Sequence, residues 1–475
     1  MITYLLASLL VQLCESKLSF VAVLARDGAI QMKNAKYFNI TNDESIFLNP
    51  GRLTDVGKHQ LHLLGRQLRY NYTKEKGLLS NEYNSNEVVF RSSGLNRTIE
   101  SAQGFFSGFY HPGTGPILHN NLVKKAKPGI KVEDFQDIIT ELGSSALPYF
   151  MQPVPLHTTS EKKDYLFNAH TECTSLKADD KKYADEFREI DIKYEHLYKT
   201  LAKEYSYHVN SALEIYLFYE NLASVIGNYG RDSVHLNDEI IDKLKEATLD
   251  QTLNMFLRSE LKLKLMSYVI LADIKEHLSN VVNKHNNNEL KMAYYQTSDV
   301  HLLAIFKLIG IELPKEVLFG SSLILELSEE ESNDESVERK YEIRLFYNGK
   351  LTKLRDKEVT EFKEFIKLIE GKMFKNMEEF MYSCLSNEED EEITLSTGML
   401  VIIIIIVAAI GLVVAVSFYN LCYRMEDEEE LDVKVSNPVR IVEEIGEENK
   451  SQPDASQLTE IDKMSMLIPD SLIND

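Results

Sequence analysis

Residues 18–25 read LSFVAVLA, an almost unbroken apolar run with β-branched members. That is the pattern of a strand buried on both faces. After a polar stretch comes LTDVGKHQLHLLGRQLRYNY, in which Leu61, Leu64 and Leu68 recur at three- and four-residue spacing behind Thr54, a residue able to cap a helix. The pair then repeats, with NEVVFRSS predicting a strand and NRTIESAQGFFSGFY a helix. Strand and helix in alternation predict a parallel α/β sheet. From about residue 181 to 284 glycine and proline nearly vanish, and apolar positions recur at helical spacing, as in HVNSALEIYLFYENLASVIGNYG. This predicts a helical subdomain inserted into the α/β core. ELKMAYYQTSDVHLLAIFKLIGIELP returns to strand, loop and helix, and SSLILELSEE with KYEIRLFYNGKLTKL predicts an antiparallel pair joined by the acidic loop Glu329–Glu338. EFKEFIKLIEGK and MEEFMYSCL read as closing helices.

Two apolar segments do not fit a soluble core. MITYLLASLLVQLCES, residues 1–16, reads as a signal peptide cleaved near Ser16, although it lacks a basic leading region. GMLVIIIIIVAAIGLVVAVSF, residues 398–418, carries no charge, and a helix of about 20 such residues crosses a bilayer core of roughly 30 Å. Acids alone precede it in NEEDEEITLST, and Arg424 follows it, so the positive-inside bias places the later part in the cytosol. The expectation is a single-pass type I protein of the cell surface or endolysosomal membrane. Residues 17–397 form its ectodomain and 419–475 its cytosolic tail. The sequons at Asn39, Asn71 and Asn96 agree with an ectodomain; the one at Asn449 falls in the tail. That tail holds about 15 acids against about 5 bases and reads as disordered. It names no partner.

The formal net charge of -22 over 475 residues disfavours nucleic acid and anionic surfaces as partners. Nothing shows metal-ligand spacing, since His59 and His62 lie three apart without a third ligand, and no cofactor is expected. Of four cysteines, Cys14 leaves with the signal peptide and Cys422 sits at the inner membrane face. Cys173 and Cys384 remain in an oxidising compartment, where they could form one disulfide.

The chemistry enters through five blocks in order. FVAVLARDGAIQM resembles the Arg-His-Gly-x-Arg-x-Pro motif of the histidine acid phosphatases, a branch of the histidine phosphatase superfamily. LTDVGKHQ is similar to that family's Leu-Thr-x-x-Gly-x-x-Gln helix, and VVFRSSGLNRTIESAQGFFSGFYHP to its Arg-Ser-Thr-Asp-x-x-Arg-Thr-x-x-Ser-Ala segment. QPVPLHT and YQTSDVHLLAIFKLIG resemble two later blocks, the second where the family has Tyr-Ser-Ala-His-Asp. The resemblance implies a doubly wound, mostly parallel sheet with a helical cap. It also implies bonding of Cys173 to Cys384 and a phosphate ester or other anion as ligand. Its nucleophilic histidine falls on Asp27. The phosphate-holding arginines fall on Arg26, Ile30 and Arg91, the motif proline on Met32, and the late His-Asp pair on Ser298 and Asp299. Arg26, Arg91 and Asp299 keep their residue type; the nucleophile, one arginine and the second histidine are lost.

Carboxylates serve as phosphoryl acceptors in some enzymes, but an anion must then approach an anionic phosphate. A like charge near 4 Å costs on the order of 1–4 kcal/mol between bulk water and a protein surface, and losing the cation at position 30 removes a charge-assisted hydrogen bond of roughly 1.5–3 kcal/mol. The expectation is therefore a catalytically impaired member with Arg26, Asp27, Arg91 and Asp299 together at the carboxyl ends of the strands. The retained arginines are expected to pair with the two carboxylates. Arg97 is expected to support its loop, and His59, His62 and His301 to be exposed polar residues. An active acid phosphomonoesterase with a rebuilt site and an ectodomain serving as a binding or adhesion module are the alternatives.

Overall fold

The computed structural model describes residues 16–33, 49–386 and 408–417, apart from 124, 160–163, 166, 168, 284–289 and 331–338. β1 (Lys17–Arg26) is buried from Phe20 onward. Its alternation decides which layer each side chain joins: Phe20, Ala22 and Leu24 belong to one core, Val21, Val23 and Ala25 to another. On the second face lie α1 (Asp55–Arg69) and α2 (Asn96–Phe109). Thr54 caps α1 through its hydroxyl, which accepts from the Gly57 N–H at 3.0 Å. Glycine brings the two helices together. A Cβ at Gly108 would stand 2.0 Å from the His62 carbonyl oxygen, and one at Gly65 would stand 2.2 Å from that of Phe105.

The sheet has the order β3 (His157–Thr158), β2 (Val88–Ser92), β4 (Met292–Thr297), β1, β5 (Ser322–Glu329), β6 (Tyr341–Tyr347) and β7 (Lys350–Thr352), with β8 (Thr360–Glu361) pairing β6. β1 lies parallel to β4, from Val21 opposite Met292 to Arg26 opposite Thr297. β4 in turn lies parallel to β2, which is parallel to the short β3. On the other side, β5, β6 and β7 are antiparallel throughout. A mostly parallel sheet therefore needs correcting to a mixed one, with three parallel and four antiparallel pairings among the described residues. The cause lies in the path from 310 to 321, which returns the chain to the carboxyl end of β1. There the Gly320 N–H donates to the Asp27 carbonyl, and the Arg26 N–H to that of Ser321. Entering at that end, β5 can only descend antiparallel to β1.

Between β3 and β4 the chain forms α3 (Ala184–Tyr205), α4 (Ala212–Tyr229), α5 (Asp238–Leu257) and α6 (Glu260–Asn283). α3, α4 and α5 share a core of their own containing Leu201, Phe218, Leu222 and Leu244, and Met32 from the loop after β1 is buried in it. α6 and α7 (Asp299–Ile309) cover the first face of the sheet. α8 (Phe362–Glu370) and α9 (Met377–Leu385) close the unit. A disulfide joins Cys173 to Cys384, with Cα atoms 4.5 Å apart.

Residues 1–15, Asn39, most of the acidic loop and residues 418–475 lie outside the described residues. Of the 398–418 stretch only the helical 408–417 is described, and no helix among the described residues is long and apolar enough to cross a membrane. Asn71 is half-buried in a π-turn that extends α1, with Thr73 of its sequon buried; Asn96 is exposed at the start of α2.

Candidate active site

β1 delivers Arg26 as its last residue and Asp27 as the first beyond it, both buried. The turn that follows is tied down at each step. The Gly28 N–H donates to Ser101 Oγ (3.3 Å) and the Ala29 N–H to Gln60 Oε1 (2.9 Å). Residue 28 must lack a Cβ, which would meet the Gly57 carbonyl oxygen at 2.3 Å. The carboxylate of Asp27 is consequently held in place by the backbone and by three side chains. Arg97 Nε stands 3.4 Å from Oδ2, Thr98 Oγ1 donates to the same oxygen at 3.2 Å, and Gln296 Nε2 donates to Oδ1 at 3.3 Å. Burial raises the Asp27 pKa above the ordinary carboxylate range, and Arg97, Thr98, Arg26 and Gln296 offset this only in part.

Arg26 is held on three sides. Nη1 donates to the Val317 carbonyl, Nη2 stands 3.4 Å from Asp299 Oδ2, and the guanidinium lies 4.4 Å from the centre of the Phe319 ring. Burial opposes its charge, but the carboxylates of Asp299, Glu220, Glu316 and Asp27 together outweigh burial and raise its pKa. Asp299 opens α7, where its Oδ1 accepts the Val300 N–H at 3.0 Å. Ser298 occupies the N-cap position without capping; its hydroxyl lies 2.9 Å from His301 Nδ1 instead.

These groups line one cavity of about 130 Å³, small beside the roughly 300–1,000 Å³ of sites for drug-sized ligands. Its floor is the end of β1, and helices α4, α5 and α6 roof it with Tyr216 and Glu220, Phe256 and Met266. Lys33 spans floor and roof: Nζ pairs with Glu220 Oε2 at 3.1 Å, and its N–H donates to Asn221 Oδ1 at 2.8 Å. The charged lining is Arg26, Lys33 and Arg97 against Asp27, Glu220 and Asp299. Each cation faces a carboxylate.

Of the four residues expected together, Arg26, Asp27 and Asp299 meet here, beside the lost positions Ile30 and Ser298. Arg91 does not line the cavity. Its Nε and Nη2 lie 3.1 and 3.2 Å from the carboxylate of Asp273 on α6, which also accepts from the Tyr295 hydroxyl at 2.5 Å. Strand alternation explains the correction. Val88 and Phe90 of β2 face α2, so Arg91, one residue on, faces α6. Arg97 sits past the strand, in the first turn of α2 overlooking the carboxyl ends. It takes the place expected for Arg91. That Arg97 follows the strand rather than belonging to it was the available signal. His301 also departs from expectation, being buried and turned into the cavity. His59 and His62 lie apart from the cavity, His62 Nδ1 being 2.9 Å from Ser107 Oγ. Lys33 carried no pattern in the sequence; only the packing of α4 brings Glu220 to it. Among the described residues no group of three or more His, Cys, Asp or Glu is placed to hold a metal ion.

Residues 12–348 match the family model described as histidine phosphatase superfamily (branch 2). The chain is 24% identical over 336 residues to lysosomal acid phosphatase of Xenopus laevis, covering 69% of this chain and 70% of that protein. It is 38% identical over 72 residues to lysophosphatidic acid phosphatase type 6 of Mus musculus, covering 15% and 17%. Among solved structures, the phytase of Klebsiella sp ASR1 superposes with a TM-score of 0.50 at 13% identity over 78% of this chain and 98% of that one. Hafnia alvei phytase in complex with myo-inositol hexakis sulphate gives 0.51 at 12% identity, over 78% and 99%. At such identity these two likenesses concern the fold.

Proposed function

The chain belongs to branch 2 of the histidine phosphatase superfamily, and from that premise we propose that it is a membrane-anchored, catalytically impaired member whose pocket is retained for binding. One observation carries the proposal: a buried carboxylate, Asp27, stands where the family's nucleophile belongs, with its oxygen 3.4 Å from the guanidinium of Arg97. In a working site the arginines would hold phosphate oxygens while a neutral imidazole attacks phosphorus. Here Asp27 and Asp299 already occupy the arginines, and an incoming anion meets a like charge worth on the order of 1–4 kcal/mol at 4 Å. Ile30 adds an apolar wall where a third cation belongs. Asp299, the residue matching the proton donor, has one oxygen on Arg26 and the other on the Val300 N–H.

The apolar 398–418 segment supports a single crossing behind an ectodomain, and the Xenopus relative, by its name lysosomal, supports an endolysosomal or secreted setting. A second reading, an acid phosphatase with a rebuilt site, draws on His301. Its ring lines the cavity beside Ser298, three residues past the lost histidine.

The test uses the full-length chain, solubilised and purified, against an aryl phosphate at acidic pH. Hydrolysis should match buffer for the wild type and for Asp27→His alone. It should appear only when Asp27→His, Ile30→Arg and Ser298→His are combined, because the single change leaves phosphate under-held. Wild-type turnover abolished by Asp27→Asn would overturn the proposal and establish the carboxylate as a nucleophile.

A further inference from the structure

Arg26 and Arg97 line the same cavity, and Arg97 is incompletely used. Each stands 3.4 Å from its carboxylate, longer than the roughly 2.7–2.9 Å of a good charge-assisted hydrogen bond. Arg97 Nη1 has no hydrogen-bond acceptor. Two guanidinium groups on one cavity, Arg26 buried and Arg97 half-buried with a donor to spare, form a cradle for a tetrahedral oxyanion, which offers acceptors in several directions at once. What stands in the cradle is Asp27, and unlike an arginine it can lose its charge.

We infer that Asp27 is a proton-operated gate on this cradle: the pocket takes up a small oxyanion when the Asp27 carboxyl is protonated and excludes it when the carboxylate is charged. The inference rests on the reading of the pocket as retained for binding. The ligand class is an inorganic or small organic phosphate or sulfate, since the cavity of about 130 Å³ leaves little room beyond one anionic head.

Geometry supplies the mechanism. The groups facing Asp27 are Arg26 beside it on β1, Arg97 and Thr98 on α2, and Tyr294 and Gln296 on β4. Asp299 and His301 on α7 share the cavity, and Lys33 with Glu220 stands across it. Protonation removes one of three lining carboxylates, leaves Arg97 without its counter-charge and turns the lining from balanced to net positive. An anion then supplies the missing charge. Burial already holds the carboxyl above the usual range, so the gate opens at milder acidity than an exposed aspartate would allow. Binding that needs one protonated group is weakened by the fraction of molecules that lack it. Affinity therefore falls by up to about tenfold per pH unit above the pKa of Asp27.

Sulfate is the appropriate probe, because it keeps its double charge across the acidic and neutral range and the pH dependence then belongs to the protein. Titration calorimetry on the full-length solubilised chain, from about pH 4.5 to 7.5, should show sulfate affinity falling steeply as pH rises. Asp27→Asn should bind at neutral pH within about threefold of the wild-type acidic affinity and lose the steep dependence; Asp27→Ser provides the same test should the amide impair folding. Arg97→Gln should abolish binding at every pH. Protonation of His301 or Asp299 would also favour an anion, so the gate is overturned if the Asp27 variants keep the wild-type slope. It is equally overturned if wild type binds sulfate alike at both ends of the range, or if neither wild type nor variant binds it. Hydrolysis of the aryl phosphate by wild type would count against catalytic impairment and not against the gate, which is judged by sulfate alone.

Discussion

Gly108→Ala is a one-methyl perturbation whose consequence can be worked out from the α1–α2 contact. The new Cβ would lie 2.0 Å from the His62 carbonyl oxygen and 2.9 Å from the Arg66 nitrogen, both backbone atoms, so no rotamer change relieves it. To restore ordinary contact the helices must part by more than about 1 Å, and a gap of 0.5–1 Å already forfeits a quarter to a half of each dispersion contact. Leu61, Leu68, Phe105 and Phe109 would all loosen. Overpacking of this kind costs about 1–3 kcal/mol, and backbone-on-backbone contact belongs at the upper end. Alanine's better helix propensity returns about 1 kcal/mol, for a net loss of about 2 kcal/mol. Gly129→Ala is the control: nothing lies within 4 Å of its added Cβ, and stiffening the unfolded chain there should stabilise by up to about 1 kcal/mol. The chain contains no tryptophan, so urea unfolding is followed by circular dichroism. Because α2 carries Arg97 and Thr98 in its first turn, the same variant should also weaken sulfate binding. Equal stability of Gly108→Ala and Gly129→Ala would refute the reasoning, since it would mean the helices already stand apart.

Three further outcomes are expected. Replacing Cys173 and Cys384 by serine opens a loop of 211 residues and should lower stability by up to about 5 kcal/mol in the chain-entropy model, with changed mobility on non-reducing gels confirming the bond in wild type. Arg91→Gln should cost stability while leaving sulfate binding intact; the half-exposed pair with Asp273 sets its loss below the roughly 3–5 kcal/mol of a fully buried one. Arg97→Gln should do the reverse to binding, and loss of binding in the Arg91 variant would restore that residue to the site. Burial raises the Asp27 pKa, so above the ordinary carboxylate range the folded chain holds a proton that the unfolded chain has released. Stability from this group therefore falls as pH rises through that window. Melting temperatures of wild type should fall relative to Asp27→Asn over it, and a difference that rises or stays flat would contradict the sign.

Local chemistry made much of this protein legible in its sequence. Short apolar runs located β1 and β2, and a spacing of three to four residues located α1, because burial on one or two faces leaves its mark on nearby residues. The resemblance of FVAVLARDGAIQM to a family motif is what sets Asp27 against the nucleophile position, since a motif comparison needs no coordinates. What the sequence could not decide were contacts between residues far apart along the chain. On paper the resemblance favours Arg91 and leaves Arg97 to support its loop; the strand's alternation turns the first toward Asp273 while the helix start aims the second at Asp27. The direction of β5 depended on which end of β1 the chain returned to, and the burial of His301 on the packing of α7. Lys33 met Glu220 only because a helix 187 residues later folds over the loop. Each of these is settled by where an element ends and which face it shows to another, and that is a property of the assembled layers alone.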